Sequence, residues 1–359
     1  MTMARSKYVR EGEEGVYHCF CRCVRRAFLY GYDPVTKRDF SHRKAWIVER
    51  LQFLAAIFAI DVCAFAVLIN HLHTILRTRP DIAAAWSDRE VATRWLTLFP
   101  RRNRPREVAG PPTEQQISAL TACPERIAQL RLRLCSLSWF MGRLDEYIAR
   151  KANKEDDVKG RFWESRFKCQ TLLDDAAIAS CMVYVDLNPL RAGIAATPED
   201  SDFTSIQERI RAWHEETTHS DKSSQHNLSA DSTGREPKTE DTMPGPSACW
   251  LCPIQSDSQR RGILQMTLTQ YLDLVDRSGR LLRADKPGVI DPDLAPILWR
   301  IGANPQAWPD TISHFGSRFR LAAGALSSLR RFADQIGRRW LTGVSMARAS
   351  FTTLPQPLA

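Results

Sequence analysis

Val62-Cys-Ala-Phe-Ala-Val-Leu-Ile-Asn-His-Leu-His-Thr-Ile-Leu76 is an apolar run with a polar break at Asn70 and two imidazoles one residue apart. Its β-branched and aromatic content reads as two strands, Val62 to Leu68 and His71 to Arg77, joined through Ile69-Asn70 and ended by Pro80. Side chains alternate across a strand, so His71 and His73 share one face. Two imidazoles on one face are half of a metal site. The plainer reading is two histidines packed against a core, and a lone His-x-His does not decide between them.

On the N-terminal side, Val16 to Val24 reads as a further strand. His18, Phe20 and Arg22 alternate on one face, and Cys19, Cys21 and Cys23 on the other, where small apolar residues suit a buried surface. Arg25, Arg26, Tyr30 and Tyr32 follow. Basic and aromatic groups interleaved in this way suit a single-stranded nucleic acid surface, or simply a solvated strand end. Asp39-Phe-Ser41 then offers a cap for an amphipathic helix over Arg43 to Ile60, with Trp46, Ile47, Leu51, Leu54, Ile57 and Phe58 at helical spacing.

On the C-terminal side, the pattern predicts helix over Asp81 to Leu98, then a loop carrying Arg101, Arg102, Arg104 and Arg106. Ile117 to Leu120 and a long stretch from Glu125 to Ala152 read as more helix. Gly160 to Thr171 has the aromatics and alternation of a strand or extended loop. Asp174 can cap a helix that runs to about Leu187 and stops at Asn188-Pro189. On that helix Ile178, Cys181, Met182 and Val185 form an inward stripe. Tyr184 and Asn188, four apart, stack on one flank, and Arg191 extends the flank if the backbone stays helical. Read plainly, Tyr184 is a surface tyrosine and Asn188-Pro189 a helix stop.

The whole chain has 359 residues, enough for one full core and a second, smaller unit. Lys and Arg number 50 against 41 Asp and Glu, a formal charge of +9 that favours polyanionic partners, nucleic acid before anionic membrane. No apolar run is long enough to cross a membrane, and Met1 to Glu14 has no apolar signal core. The ten Cys therefore read as reduced core thiols of a cytoplasmic protein. Cys249-Trp-Leu-Cys252 has zinc-like spacing, but a structural site needs four ligands and no second pair stands nearby. From Glu215 to Ser247 polar residues dominate, which divides the chain into residues 1–214, a flexible linker 215–247, and a mostly helical region 248–359.

The ordered set resembles the single-tyrosine HUH transposases, the insertion-sequence-200-like family, and within it the REP-associated tyrosine transposases. The pieces that carry the resemblance are Tyr17-His18 through Arg22 to Phe28-Leu29, then Asn70-His71-Leu72-His73, then Arg161-Phe-Trp-Glu-Ser-Arg-Phe167, then Tyr184-Val-Asp-Leu-Asn-Pro-Leu-Arg-Ala-Gly193. They span about Val16 to Ile194. The sequence departs from the family pattern at Ile69, where a proline commonly precedes the motif asparagine. Asp81 to Asn153 is longer than in a minimal member, and the chain beyond Glu215 has no counterpart in one.

The resemblance implies an α+β fold, a ferredoxin-like or RRM-like antiparallel sheet with helices on one face, plus the helical C-terminal region. It implies a transposase that cleaves and rejoins single-stranded or hairpin DNA, as a monomer or homodimer, in a bacterial cytoplasm and at the nucleoid when bound to DNA. Tyr184 is then the nucleophile, forming a 5′-phosphotyrosine. His71, His73 and Asn188 are the ligands of a divalent cation, Mg²⁺ or Mn²⁺, with Mn²⁺ the better match to imidazole. A phenol ionises near ~10, so a metal or base must assist it. The step needs no nucleotide cofactor, and the chain has no phosphate-binding glycine loop. Candidates for holding DNA are Arg22, Arg25, Arg26, Arg101, Arg102, Arg104, Arg166 and Arg191, with Glu164 shaping the site. The alternatives are a domesticated relative that binds DNA without cutting it, and a metal-dependent phosphoesterase that uses water.

Overall fold

The computed structural model describes residues 3–24, 28–100, 110–226, 250–282 and 294–351, with backbone alone over 216–226. In chain order the first part runs β1 (Gly15–Arg22), β2 (Tyr32–Asp33), β3 (Arg38–Asp39), α1 (Arg43–Ile57), β4 (Ile60–Val67) and β5 (His71–Thr78). Five helices follow: α2 (Pro80–Ala85), α3 (Asp88–Leu98), α4 (Glu114–Thr121), α5 (Pro124–Leu134) and α6 (Leu137–Glu155). Then come β6 (Lys168–Leu172), α7 (Asp175–Asp186), α8 (Asn188–Arg191) and α9 (Ser205–His226). The C-terminal region holds α10 (Leu268–Leu281), α11 (Leu294–Arg300), α12 (Trp308–Arg318), β7 (Ala322–Ala323), α13 (Leu326–Gln335) and α14 (Val344–Ser350).

The fold is α+β, built on a five-stranded sheet of order β4-β5-β1-β6-β7. β4, β5, β1 and β6 are antiparallel neighbours, and the two-residue β7 adds to β6 in parallel. The expected antiparallel sheet is therefore present, extended by a fifth strand from the distant end of the chain. The helices were expected on one face and occupy both. Tyr17, Cys19, Cys21, Leu72 and Leu76 pack against α1, α3, α5 and α6. Val16, Ile75, Ala64 and Leu172 pack on the opposite side against α7, α10 and α12. Cys19 and Cys21 of β1, and Cys23 just past its end, are buried in the first of these cores, as small apolar residues on a strand's inner face should be. A bulge in β4 between Val62 and Ala64 turns two successive residues, Cys63 and Ala64, to the second core.

Two helices expected as single pieces are each broken in two, the first by a capping residue. Ser87 accepts from the backbone N–H of Glu90 and starts α3 afresh, so Asp81 to Leu98 is two helices. Cys135 and Ser136 separate α5 from α6 within Glu125 to Ala152. Asp39 does not cap α1; its carboxylate accepts from the N–H and hydroxyl of Ser41 instead. In the segment from Gly160 to Thr171, strand begins only at Lys168.

The C-terminal region is stitched into the sheet. Cys252 N–H donates to the Val62 carbonyl at 2.8 Å. The buried Arg77 on β5 pairs with Asp61 at 2.6 Å and donates to the carbonyls of Arg261 and Gly262 at 2.6 and 2.7 Å. The buried Asp186 accepts from Ser205, from the Ile206 N–H and from the Tyr271 hydroxyl, which ties α7 to α9 and α10. Burial pushes the Asp186 carboxyl up to about 6 against the pull of those donors and Arg209. Residues 215–226 of the expected linker are the last turns of α9.

Candidate functional site

The site lies on the face of the sheet that α7 covers. The β1–β5 register sets Phe20 opposite His73 and Arg22 opposite His71, and the β1–β6 register sets His18 opposite Gln170. Period-two alternation then lifts His18, His71, His73 and Gln170 to the same side. His18 Nε2 lies 2.8 Å from His73 Nδ1, and His18 Nδ1 lies 3.4 Å from Gln170 Oε1. His71 Nδ1 lies 2.8 Å from Asn70 Oδ1.

With the oxygens of the Gln170 and Asn70 amides facing the rings, one set of tautomers satisfies these contacts. An amide oxygen only accepts, so His71 and His18 each carry their proton on Nδ1. His18 Nε2 is then a bare acceptor and takes the Nδ1–H of His73. What remains is an unprotonated Nε2 on both His71 and His73, the arrangement in which an imidazole binds a cation with its other nitrogen held. His18 uses both nitrogens and is left with no lone pair for a metal. Burial lowers His18 and His71 each to about 4, Arg22 adding to the effect at His71. Burial, then His18, His71 and Arg191, hold His73 well below its ordinary value. All three rings are neutral at neutral pH.

Tyr184 comes to this place because Asp174 caps α7, accepting from Ala177 N–H at 3.1 Å, and the inward stripe of that helix fills the core. The half-buried phenol ring stands edge-on to His73, centroids 5.9 Å apart, and to His18 at 6.1 Å. The two distant pieces of sequence thus meet. α7 ends at Asp186, and Asn188-Pro189 opens the short α8. Asn188 is buried, and its Nδ2 has no hydrogen-bond partner. A half-turn of the amide exchanges its nitrogen for its oxygen, which would then be the unpaired atom. Among the described residues no three His, Cys, Asp or Glu side chains are grouped to hold a metal. Any cation here needs an amide or phosphate oxygen beside the two imidazoles.

Arg191 extends the flank, its guanidinium 4.8 Å from the Tyr184 ring centroid. It also donates to the Ser313 carbonyl at 2.6 Å, so this exposed side chain is engaged with α12. Arg22 is exposed and lies 3.8 Å from Glu164; Arg166 is exposed. Arg25, Arg26, Arg101, Arg102 and Arg104 lie outside the described residues.

Sequence reading passed over four residues of this site. His18 and Gln170 had a signal, the alternation that puts His18 with Phe20 and Arg22. Phe315 and Gly316 had none, because they come from beyond the polar stretch. Phe315 packs on the Tyr184 ring, centroids 6.0 Å apart. A methyl built on Gly316 would lie 2.6 Å from the Tyr184 hydroxyl oxygen, so the phenol rests directly on the backbone of α12.

Comparison with known proteins adds little to this geometry. No protein-family model matches the chain, and no curated protein does. A solved structure of a REP-associated tyrosine transposase bound to a REP hairpin overlays with a TM-score of 0.30 at 11% identity, covering 59% of this chain and 86% of that one. So slight an overlap defines no shared function, and the chemistry rests on the residues above. None of the described helices is long and apolar enough to cross a membrane.

Proposed function

We propose that this protein is a single-tyrosine DNA strand transferase, which binds single-stranded or hairpin DNA and cleaves and rejoins it as a transposase does. The observation that carries the reading is the meeting of the Tyr184 phenol with His73, beside a His71 prepared in the same way. Tyr184 Oη attacks the phosphorus in line. The new O–P bond forms as the bond from phosphorus to the 3′ oxygen breaks; the phenolic proton leaves to solvent and the 3′ oxygen takes one up. The phosphotyrosine keeps the energy of the phosphodiester, so a different 3′-hydroxyl can reverse the step and join new ends. Arg191 orients the phenol from above its ring, and Gly316 lets it approach α12. His71, His73 and Asn188 would hold Mg²⁺ or Mn²⁺, which when bound supplies Lewis-acid polarisation of a phosphodiester oxygen. Arg22 and Arg166 flank the sheet end where the strand enters.

The test is incubation of the full chain with labelled hairpin DNA and Mn²⁺, read on a denaturing gel. A covalent protein–DNA species is expected from the wild type and none from Tyr184→Phe, which should still shift the DNA on a native gel. Adducts that persist in Tyr184→Phe would take Tyr184 out of the reaction. Cleavage without adduct in either protein would point to water as the nucleophile. A second reading, a protein that binds DNA and never cuts, is favoured by the seating of the phenol against α12; it predicts a gel shift and no covalent species.

A further inference from the structure

We infer that the end of α12 and the loop that packs on it form a second nucleic-acid contact, a single-strand platform that leads away from Tyr184. The inference rests on the strand-transfer reading for its ligand and on separate residues for its evidence. Between Arg318 and Phe351 seven arginines stand against one acid, Asp334. Arg318, Arg320, Arg338 and Arg339 are exposed and make no ion pair among the described residues. Beside them Trp340 is 72% exposed, while its neighbour Leu341 is buried. An indole left in water among unpaired guanidinium groups does nothing for the core. It is the composition of a surface on which bases stack while phosphates are held.

The fold brings these residues together next to the site. Gly316 lies against the Tyr184 hydroxyl, and Arg318 follows in the same helical turn. Gly343, with φ of 106°, closes the loop onto that turn: a methyl built there would lie 2.5 Å from the Phe319 ring and 3.2 Å from the Arg318 carbonyl. The loop that carries Arg338 to Trp340 is thereby anchored, through Gly343, at the turn that carries Arg318 and Phe319. The path runs from phenol to α12 terminus to Trp340, so the occupant is the single strand that flanks the phosphate at Tyr184. A base of that strand stacks on the indole.

The experiment is fluorescence anisotropy of a labelled oligothymidylate with the full chain, across a range of NaCl. Each phosphate contact on single-stranded DNA contributes about 0.7 to the slope of log affinity against log salt. Arg318→Gln/Arg320→Gln/Arg339→Gln should therefore flatten the slope by about 2. Trp340→Ala should weaken binding roughly five-fold or more at fixed salt, and Trp340→Phe should restore most of it. All these side chains are exposed, and unchanged melting curves will confirm that the variants fold. Slopes and affinities equal to wild type in the variants would overturn the platform while leaving the covalent adduct, and so the strand-transfer reading, intact. A wild-type chain that binds no single strand would overturn the platform, and the hairpin adduct would still decide the strand-transfer reading. A platform that behaves as stated in a chain that forms no adduct would keep this surface and remove only the cleavage.

Discussion

The tautomer of His73 follows from two neighbours that share neither its strand nor its motif. Gln170 on β6 and His18 on β1 pass an acceptor–donor sequence along the sheet, and its last member is the bare Nε2 of His73. Removing His18 breaks that order and leaves His73 Nδ1–H buried and unpaired, which costs about 1–3 kcal/mol before any cavity is counted. His18→Ala should therefore lower unfolding free energy by roughly 2–4 kcal/mol in a urea titration and weaken Mn²⁺ binding about 10–100-fold by calorimetry. Unaltered metal affinity in a folded variant would take His18 out of the support of the site. On the far face of the sheet Asp145 offers a pH signature apart from the reaction. Burial pushes its carboxyl up to about 7, against weaker opposing pulls from Cys21 and Arg5. The fold favours the protonated form, so the stability it lends is full below the ordinary value of 3.8 and is lost as pH rises through about 7. Asp145→Asn should be more stable than wild type by roughly 2–4 kcal/mol at pH 8, with the difference vanishing near pH 4. Parallel pH–stability curves for the two proteins would contradict that account.

At the scale of elements, α12 bears on the proposed nucleophile through a missing side chain. Gly316→Ala improves helix propensity by about 0.5–1 kcal/mol but sets a methyl where the Tyr184 oxygen now lies. The phenol is half-buried and can swing away more cheaply than the helix can move, so the expected outcome is a melting temperature near that of wild type with adduct formation slowed about ten-fold or more, as sub-ångström placement of a nucleophile requires. A variant with a wild-type adduct rate would show that the contact has no bearing on the nucleophile. The elements that build the site were legible because their signals are local. The His-x-His hairpin declares itself by composition and alternation, and α7 by its Asp174 cap and apolar stripe. The splitting of α2 from α3 and of α5 from α6 was not legible. Ser87 and Ser136 sit in stretches whose apolar spacing runs on past the break, and that spacing outweighs the local Ser87-Asp-Arg-Glu90 cap signal in a reading by periodicity. α12 could not be placed at all, since no local pattern says which of several amphipathic helices meets Tyr184.

The division into a folded N-terminal part and an appended C-terminal one does not describe the packing of the molecule. β7 contributes two residues to the sheet, too few to recognise, and its partner β6 lies some 150 positions earlier. The second core is shared: Met182 and Val185 of α7 bury themselves with Tyr271, Trp308, Phe315 and Phe319 from the C-terminal region. The buried Arg77 also completes its bonding with carbonyls of that region, and leaving such a donor unsatisfied costs about 1–3 kcal/mol. A chain ended after Trp213 would retain His71, His73, Tyr184 and Asn188 but expose the apolar flank of α7 and leave Arg77 short of acceptors. Such a loss approaches the whole stability of a domain, which is about 5–15 kcal/mol. The truncated chain should lose cooperative unfolding in a urea titration, bind a hydrophobic dye and form no adduct, although every proposed catalytic group is present. A truncated protein that melts cooperatively and still forms the adduct would mean that the sheet and α7 stand without their second cover, and that α12 is an addition to the site rather than one of its walls.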